Sequence, residues 1–206
     1  MSRAGRRAGP VLGAGPAVDE FVRRFREFPC GAAVKTDQQL DAALAGRPGV
    51  IFILRGNGLE LAPTLRRVHQ AGKLAVVHLD LVDGLTADIA GVRWLVRSGA
   101  DGIISSHGQA VRAVRAEGVI AIQRLLCVSR EAIDLGLGAV ARAQPDIVEL
   151  LPGAILPAVA ALVLPHLAVP LLAGGFIRDR EVVRQVLAAG ALAVTTSEEA
   201  LWQPAA

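Results

Sequence analysis

The segment from Val169 to Ser197 restricts the fold of this chain more than any other stretch. It contains two apolar strands, a helix between them, and glycine or hydroxyl residues directly after each strand: Val169–Ala173, Gly174-Gly175, helix Asp179–Ala189, Leu192–Val194 and Thr195-Thr196-Ser197. Glycines after a buried strand let backbone N–H groups approach an anion closely, because no Cβ stands in the way. In a (β/α)8 barrel, the loops after the seventh and eighth strands form the usual phosphate site. The segment therefore predicts the last two units of such a barrel, with six more before it.

Six strand–helix units do precede this segment. Their strands are predicted at Ala32–Val34, Val50–Leu54, Leu74–Leu79, Gly102–Ile104, Val119–Leu125 and Ile147–Leu151. A spacing of roughly 20–30 residues is typical of parallel strands joined by crossover helices. Glycines predicted to end helices in the left-handed conformation are Gly46, Gly72, Gly99, Gly118 and Gly190. Since an open doubly wound sheet would use about five or six strands, the pattern favours a single-domain (β/α)8 TIM-type barrel with a short last helix, Glu198–Trp202.

The N-terminal residues differ in composition from the barrel. Residues 1–17 are rich in Gly, Ala, Pro and Arg without any period, which predicts a disordered basic leader before a barrel domain over residues 18–203. The first 30 residues carry six Arg against three acids, which accounts for the whole net charge of +3. This leader could help to hold RNA or could be a solvated tail. A helical apolar stripe over Val18–Phe28 predicts a helix that closes the bottom of the barrel.

The composition argues against a membrane or secreted protein. No apolar run approaches the roughly 18 residues of a membrane span, and no apolar signal-peptide stretch follows the N-terminal arginines. Cys30 and Cys127 stand alone, which favours buried thiols in a reducing cytoplasm over a disulfide. No H-E-x-x-H, G-x-S-x-G or metal-spaced carboxylate set occurs, so we predict no cofactor, metal or covalent catalysis.

Polar residues at the carboxyl ends of barrel strands gather around one mouth. Here they include Lys35, Arg55, Asp80, Ser105, Ser106, His107, Gln123, Arg124, Glu149, Gly174, Gly175, Thr195, Thr196 and Ser197. Burying charges there is unfavourable unless they pair or meet a ligand. Arg124 and Glu149 could form a purely structural ion pair, Asp80 could cap a turn, and His78 could face outward into a helix interface. A ligand site built by the whole ring is the favoured interpretation.

Several motifs in one order resemble those of a known family. They are the residues 78–85 (HLDLVDGL), 121–125 (AIQRL), 145–153 (PDIVELLPG), 173–177 (AGGFI), 189–191, 195–197 and Leu201-Trp202. Over roughly Phe28–Trp202 the chain resembles the glycerol uptake operon antiterminator regulatory proteins of bacteria. The resemblance implies a barrel not known as an enzyme, which binds glycerol 3-phosphate and then leader mRNA, and so prevents termination upstream of glycerol-utilisation genes.

Position in the barrel suggests a role for each mouth residue toward this effector. The phosphate would sit on backbone and hydroxyl donors of the two loops, with Arg124 or Lys35 supplying charge. Asp80 and Glu149 would accept the glycerol hydroxyls. The complete predicted effector site is Lys35, Asp80, Arg124, Glu149, Gly153, Gly174, Gly175, Thr195, Thr196 and Ser197.

Three departures from the family pattern bear mainly on RNA. His107 and Glu198-Glu199 stand where basic residues are common, and Thr86 stands at a position that is often polar or basic. Acids repel RNA phosphates, so these changes should affect RNA binding more than effector binding.

Two other functions stay open. A small phosphate-binding barrel enzyme, an isomerase or lyase acting on a triose or polyol phosphate, could use Asp80 or Glu149. Lys35 is the only lysine near the mouth, since Lys73 precedes its strand at the barrel bottom, which counts against a Schiff-base aldolase. A ligand-binding barrel acting through a protein partner is the other alternative. We expect no membrane partner, and a homo-oligomer is open.

Overall fold

The structure, a computed structural model, describes residues 15–203. Its ten strands are β1 Cys30–Val34, β2 Val50–Ile53, β3 Gly56–Asn57, β4 Leu74–His78, β5 Val82–Asp83, β6 Gly102–Ser105, β7 Ile120–Leu126, β8 Ile147–Leu151, β9 Leu171–Gly174 and β10 Ala193–Thr196. Eight of them close into a barrel in the order β1-β2-β4-β6-β7-β8-β9-β10, and every neighbouring pair is parallel. The predicted (β/α)8 architecture is confirmed.

Helix α1, Pro16–Glu27, precedes the first strand, and the other helices connect the strands on the outside of the barrel. These other helices are α2 Asp37–Ala45, α3 Leu61–Gln70, α4 Ile89–Ser98, α5 Gly108–Ala116, α6 Arg130–Ala143, α7 Leu156–Val163 and α8 Arg180–Ala188. Four of the connecting helices begin at a side-chain N-cap, provided by Thr36, Asp88, Ser129 and Asp179. The short last helix, Glu199–Trp202, is a 3-10 helix. No helix among residues 15–203 has the length and apolar character needed to cross a bilayer.

The N-terminal helix closes the bottom of the barrel, as predicted. Phe21 and Phe25 of α1 are fully buried and pack edge to face, with ring centroids 4.9 Å apart. The Phe25 ring also stacks on Phe52 of β2, which points into the barrel. Because the helix begins at Pro16, its first turn includes two residues that the sequence predicted as leader. Gly15, also predicted as leader, is the N-cap of this helix, and leader residues 1–14 lie outside the described residues.

Two local features differ from the sequence analysis. The loops after β2 and β4, in which no strand was predicted, pair with each other as the two-stranded ribbon β3–β5. Gly46 was predicted to take the left-handed conformation, but its φ is −79°. A Cβ at Gly46 would lie 3.2 Å from the carbonyl oxygens of both Ala42 and Trp202, so close packing accounts for this glycine. The other four glycines named as helix ends do have positive φ.

Both cysteines are buried free thiols, as predicted. Burial raises the pKa of Cys30 to about 12, so its thiol stays protonated. Lys73 lies at the barrel bottom, where its Nζ donates hydrogen bonds to the carbonyls of Ala43, Gly46 and Pro48 at 2.9, 2.6 and 3.0 Å. These contacts give the second lysine of the chain a structural role away from the mouth.

Candidate functional site

A cleft of about 340 Å³ opens at the carboxyl ends of the strands. Eight of the ten predicted site residues line it: Lys35, Arg124, Glu149, Gly174, Gly175, Thr195, Thr196 and Ser197. They come from β1, β7, β8, β9 and β10 or the loops that follow, because parallel strands bring their carboxyl ends to one face. The Phe52 ring also lines the cleft and, on its other side, stacks on Phe25 of α1, the helix that closes the bottom of the barrel.

A buried carboxylate lies at the centre of this cleft. Glu149 pairs with Arg124 in the strand register, and its Oε2 lies 3.4 Å from Arg124 Nη2. Its other oxygen, Oε1, accepts a 2.8 Å hydrogen bond from the Thr195 hydroxyl. Burial raises the pKa of Glu149 above its ordinary value, although the charge of Arg124 and the Thr195 hydrogen bond oppose the rise. The carboxylate is therefore held by two partners in a largely water-free position.

The Arg124 guanidinium is only partly satisfied by Glu149. A separation of 3.4 Å is long for a charge-assisted hydrogen bond, which is usually about 2.7–2.9 Å. Arg124 Nε is buried and has no hydrogen-bond partner among the described residues, while the side chain as a whole is 16% exposed. Buried donors in native structures are nearly always paired. This guanidinium can therefore still form strong hydrogen bonds to an anion in the cleft.

His78 lies inside the barrel rather than in a helix interface, so the outward alternative was wrong. Its side chain shares a face of β4 with Val76, which packs in the barrel interior, because strand side chains alternate. The residue is 1% exposed and neither ring nitrogen has a partner among the described residues. Burial, reinforced by the charge of Arg124 and opposed by Asp80, lowers the pKa of His78 to about 4. The imidazole is thus neutral at pH 7.

Glycines allow the β9 loop to pass close to its neighbours. A Cβ on Gly174 would lie 2.4 Å from Thr195 Oγ1 and 2.9 Å from Glu149 Oε1. Only glycine at this position leaves room for the hydrogen bond between Thr195 and Glu149. Gly175 has a φ of +84°, which side chains of L-residues rarely adopt. Gly153 does not line the cleft. It packs behind this loop, where a Cβ would lie 2.6 Å from the Ala173 carbonyl carbon and 2.7 Å from Gly174 N.

The hydroxyls at the carboxyl end of β10 bind the protein itself, which differs from their predicted role as phosphate donors. Thr196 Oγ1 donates to the Ile177 carbonyl and Ser197 Oγ donates to the Ala33 carbonyl, both at 2.7 Å. A hydroxyl has a single proton to donate, and these protons are already used. Backbone N–H groups and the cationic side chains are then the donors available to an anion in this arrangement.

Asp80 lies beside the cleft instead of lining it. Its two oxygens accept hydrogen bonds from Ser105 Oγ at 2.6 Å and Ser106 N at 2.7 Å. Burial on its own raises the pKa of Asp80, but these hydrogen bonds and the nearby His78 and His107 hold that pKa below its ordinary value. The Asp80 carboxylate thus fixes the loop after β6. Asp80 and Lys35 also line a second cleft, which adjoins the first one at Lys35.

The sequence of the barrel matches a known family. The family model of the glycerol-3-phosphate responsive antiterminators matches residues 31–202, which cover the barrel from β1 to the last helix. The chain belongs to this family.

Two solved structures agree with that assignment, and one curated protein of similar sequence covers nearly the same part of the chain. The glycerol uptake operon antiterminator regulatory protein of Listeria monocytogenes is 33% identical, with a TM-score of 0.81 over 85% of this chain and 95% of its own. A glycerol uptake operon antiterminator-related protein of Thermotoga maritima is 27% identical, with a TM-score of 0.76 over 84% and 96% of the two chains. The uncharacterized protein YgcP of Escherichia coli K12 is 34% identical over 179 residues, 86% of this chain and 93% of its own.

The residues in which this antiterminator-family chain departs from its expected pattern take local roles. His107 Nδ1 lies 3.5 Å from Asp80 Oδ1 at the exposed rim. The Thr86 hydroxyl donates at 2.6 Å to Asp88, the N-cap of α4. Glu198 lines the cleft itself, where its negative charge opposes an anion. These departures change the rim rather than the buried pair of Arg124 and Glu149.

Sequence reasoning missed two residues at the cleft of this antiterminator-family barrel. Phe176 and Arg178 both line it, and the Arg178 guanidinium lies over the Phe176 ring at 5.7 Å from its centroid. They follow the Gly174-Gly175 pair within four residues, so the loop that the glycines mark was the available signal. Arg178 adds a third cation to the cleft, with Lys35 and Arg124.

Proposed function

We propose that this protein binds glycerol 3-phosphate in the cleft and, in response, binds leader mRNA as a transcription antiterminator of glycerol-utilisation genes. The cytoplasm, where the transcript is made, is the compartment this function requires. No resident cofactor or metal is part of the proposal. Among residues 15–203, no group of three or more His, Cys, Asp and Glu side chains is arranged to hold a metal ion.

The observation that carries the effector proposal is the partly satisfied guanidinium of Arg124. It has a buried, unpartnered Nε and one long contact to Glu149, and it lies in a cleft with Lys35. A phosphate would complete its hydrogen bonds, since guanidinium and phosphate form strong charge-assisted pairs. At about 340 Å³, the cleft is near the lower end of the roughly 300–1,000 Å³ usual for small-molecule sites, which suits a ligand of this size.

The rest of the cleft fits the two ends of such a ligand. The phosphate would approach the backbone of Gly174 and Gly175, where the absence of side chains leaves N–H groups accessible. Glu149 Oε2, which faces Arg124 rather than the Thr195 hydroxyl, would accept a hydroxyl of the glycerol end. We therefore keep Glu149 as a hydroxyl acceptor, while Asp80 would act on the site only through the loop after β6.

A phosphate-sugar enzyme is the second candidate. The raised pKa of the buried Glu149 favours it, because a carboxyl with a raised pKa suits general acid–base chemistry. Lys35, however, is exposed at the rim, so no buried lysine in the mouth is placed for a Schiff base. The antiterminator proposal is preferred because the family match covers the entire barrel.

Phosphorus NMR separates the two functions in one experiment. Glycerol 3-phosphate is titrated with the full chain and its ³¹P resonance is followed over hours. A shifted or broadened resonance without any new signal is the result expected of a sensor. A new phosphorus resonance that grows with time would identify an enzyme and contradict the proposal.

The RNA function needs its own test. RNAs that bind the full chain are selected from a random-sequence pool in the presence of saturating glycerol 3-phosphate. We expect RNAs whose affinity falls when the effector is removed. Selected RNAs that bind equally well with and without the effector, or no selected RNA, would contradict the proposed antitermination.

A further inference from the structure

Phe176 presents an exposed aromatic ring at the mouth of the cleft. Its side chain is 65% exposed, in a chain that has no tyrosine and only five phenylalanines. The residue has a positive φ of 58°, which is unfavourable for a bulky side chain and tends to occur at functional sites. The loop thus holds a large apolar ring in solvent at a backbone conformation that does not favour it.

Arg178 connects this ring to the effector cleft. Its guanidinium lies over the Phe176 ring, and the same side chain lines the cleft. A cation over an exposed ring is a weak contact, whereas a guanidinium forms strong, directional hydrogen bonds to a phosphate. An anion in the cleft would therefore compete favourably for Arg178, and its departure would free the ring face that the guanidinium overlies.

We propose that Phe176 is a stacking platform for an unpaired RNA base, and that glycerol 3-phosphate makes the platform available by drawing Arg178 from the ring into the cleft. This inference rests on the proposed function and names the RNA contact and its coupling to the effector. Single-stranded RNA is recognised largely by stacking of splayed bases on aromatic side chains.

The surroundings of the ring favour RNA over a protein partner. Lys35 lies at the same cleft, where it would complement a phosphate next to the stacked base. Glu198, also at the cleft, opposes those phosphates but not the uncharged base, since stacking does not depend on net charge. A single exposed ring at a cleft that contains cations suits one base better than it suits an extended apolar protein surface.

The test measures RNA affinity with and without the effector in matched variants of the full chain. The probe is a fluorescently labelled RNA, selected from a random-sequence pool by the unmodified protein at saturating glycerol 3-phosphate, and the readout is fluorescence anisotropy. The substitutions at the ring are Phe176→Leu, Phe176→Gly and Phe176→Trp. Arg178→Gln removes the cation, and its control is Arg26→Gln, the same charge change at an exposed position of α1 at the opposite end of the barrel.

The ring variants are compared at saturating effector, so changes in effector affinity do not enter. Phe176→Leu and Phe176→Gly should weaken RNA binding about tenfold, since one base–aromatic stack changes the affinity by roughly a factor of 5–150. Phe176→Trp, which keeps an aromatic ring, should retain the affinity of the unmodified protein. Because glycine accepts the positive φ, Phe176→Gly should melt no lower than the unmodified protein, which excludes unfolding as the cause.

The arginine variants test the coupling. In Arg178→Gln, the ratio of RNA affinities with and without effector should approach one, whereas Arg26→Gln should keep the unmodified ratio. If the unmodified protein binds RNA in an effector-dependent way and the Phe176 variants bind as tightly, the platform is refuted and the proposed function stands. If no effector-dependent RNA binding is found in the unmodified protein, the proposed function fails together with this inference.

Discussion

Replacing Arg124 by methionine should destabilise the protein in a way that depends on pH. The substitution keeps a long apolar side chain but removes the positive charge that faces the buried Glu149 carboxylate at 3.4 Å. Coulomb's law with an effective dielectric constant of about 20 gives an attraction of about 5 kcal/mol at this distance. Measured losses on breaking buried pairs are about 3–5 kcal/mol. The long contact places the expected loss near the lower value, about 3 kcal/mol at pH 8.

The sign of the pH dependence follows from Glu149. Its pKa in the folded protein is raised above the ordinary value of 4.5, so the folded state binds more protons than the unfolded state in the pH range just above 4.5. The contribution of Glu149 to the unfolding free energy is then most favourable at low pH and decreases as the pH rises through the folded-state pKa of Glu149. Removing Arg124 removes an effect that lowers this pKa. The loss of unfolding free energy in Arg124→Met should therefore be smaller at pH 5 than at pH 8.

Urea unfolding at pH 5 and pH 8 measures both quantities. The matched control is the double variant that combines Arg124→Met with Glu149→Gln. The neutral amide of Gln still accepts the Thr195 hydrogen bond, and it leaves no unpaired charge in the barrel. The double variant should be more stable than Arg124→Met at pH 8 and should lose the extra pH dependence. Equal losses at both pH values, or a double variant less stable than the single one at pH 8, would refute this account of the pair.

Three further predictions concern other parts of the molecule. Gly174→Ala should lower the unfolding free energy by about 1–3 kcal/mol through overpacking, and the melting temperature by roughly 2–4 °C per kcal/mol, because its Cβ would meet Thr195 Oγ1; an unchanged melting temperature would contradict it. Lys73→Met should cost about 1–3 kcal/mol in urea unfolding through three lost hydrogen bonds, while calorimetry should show unchanged effector affinity; a loss of affinity would show that the barrel bottom affects the mouth. Removing residues 1–14 should weaken RNA binding and reduce the slope of log affinity against log salt by at most about 2, since three arginines are lost; an unchanged slope would show that the leader makes no contact with RNA.

Much of the fold was readable from the sequence because the barrel repeats one local pattern. Each β-branched or apolar run followed by a loop and an amphipathic helix specifies a unit by itself. The β8 strand was predicted with its observed bounds, Ile147–Leu151. The β3–β5 ribbon was missed because it depends on two loops meeting in space, and its two-residue strands have no periodicity to detect.

The candidate site was predictable in position and less so in detail. Alternation along the strands places Arg124, Glu149 and Thr195 on the inner face at the carboxyl ends, and the structure brings them together. The hydrogen bonds that occupy Asp80 and Ser197 depend on distances between loops of different units. Such distances leave no signature in local sequence, so the predicted donors could not be separated from residues that support the rim.

The most direct test of the central claim is calorimetric titration of the full chain with glycerol 3-phosphate, with inorganic phosphate and glycerol as separate controls. The account predicts saturable binding with clear preference over both controls, and its loss in Arg124→Ala and in Gly175→Val, which strains a backbone at φ +84°. Both variants should remain folded by circular dichroism. Retained affinity in both variants would contradict the location of the site, and no binding by the unmodified protein would contradict the sensor itself.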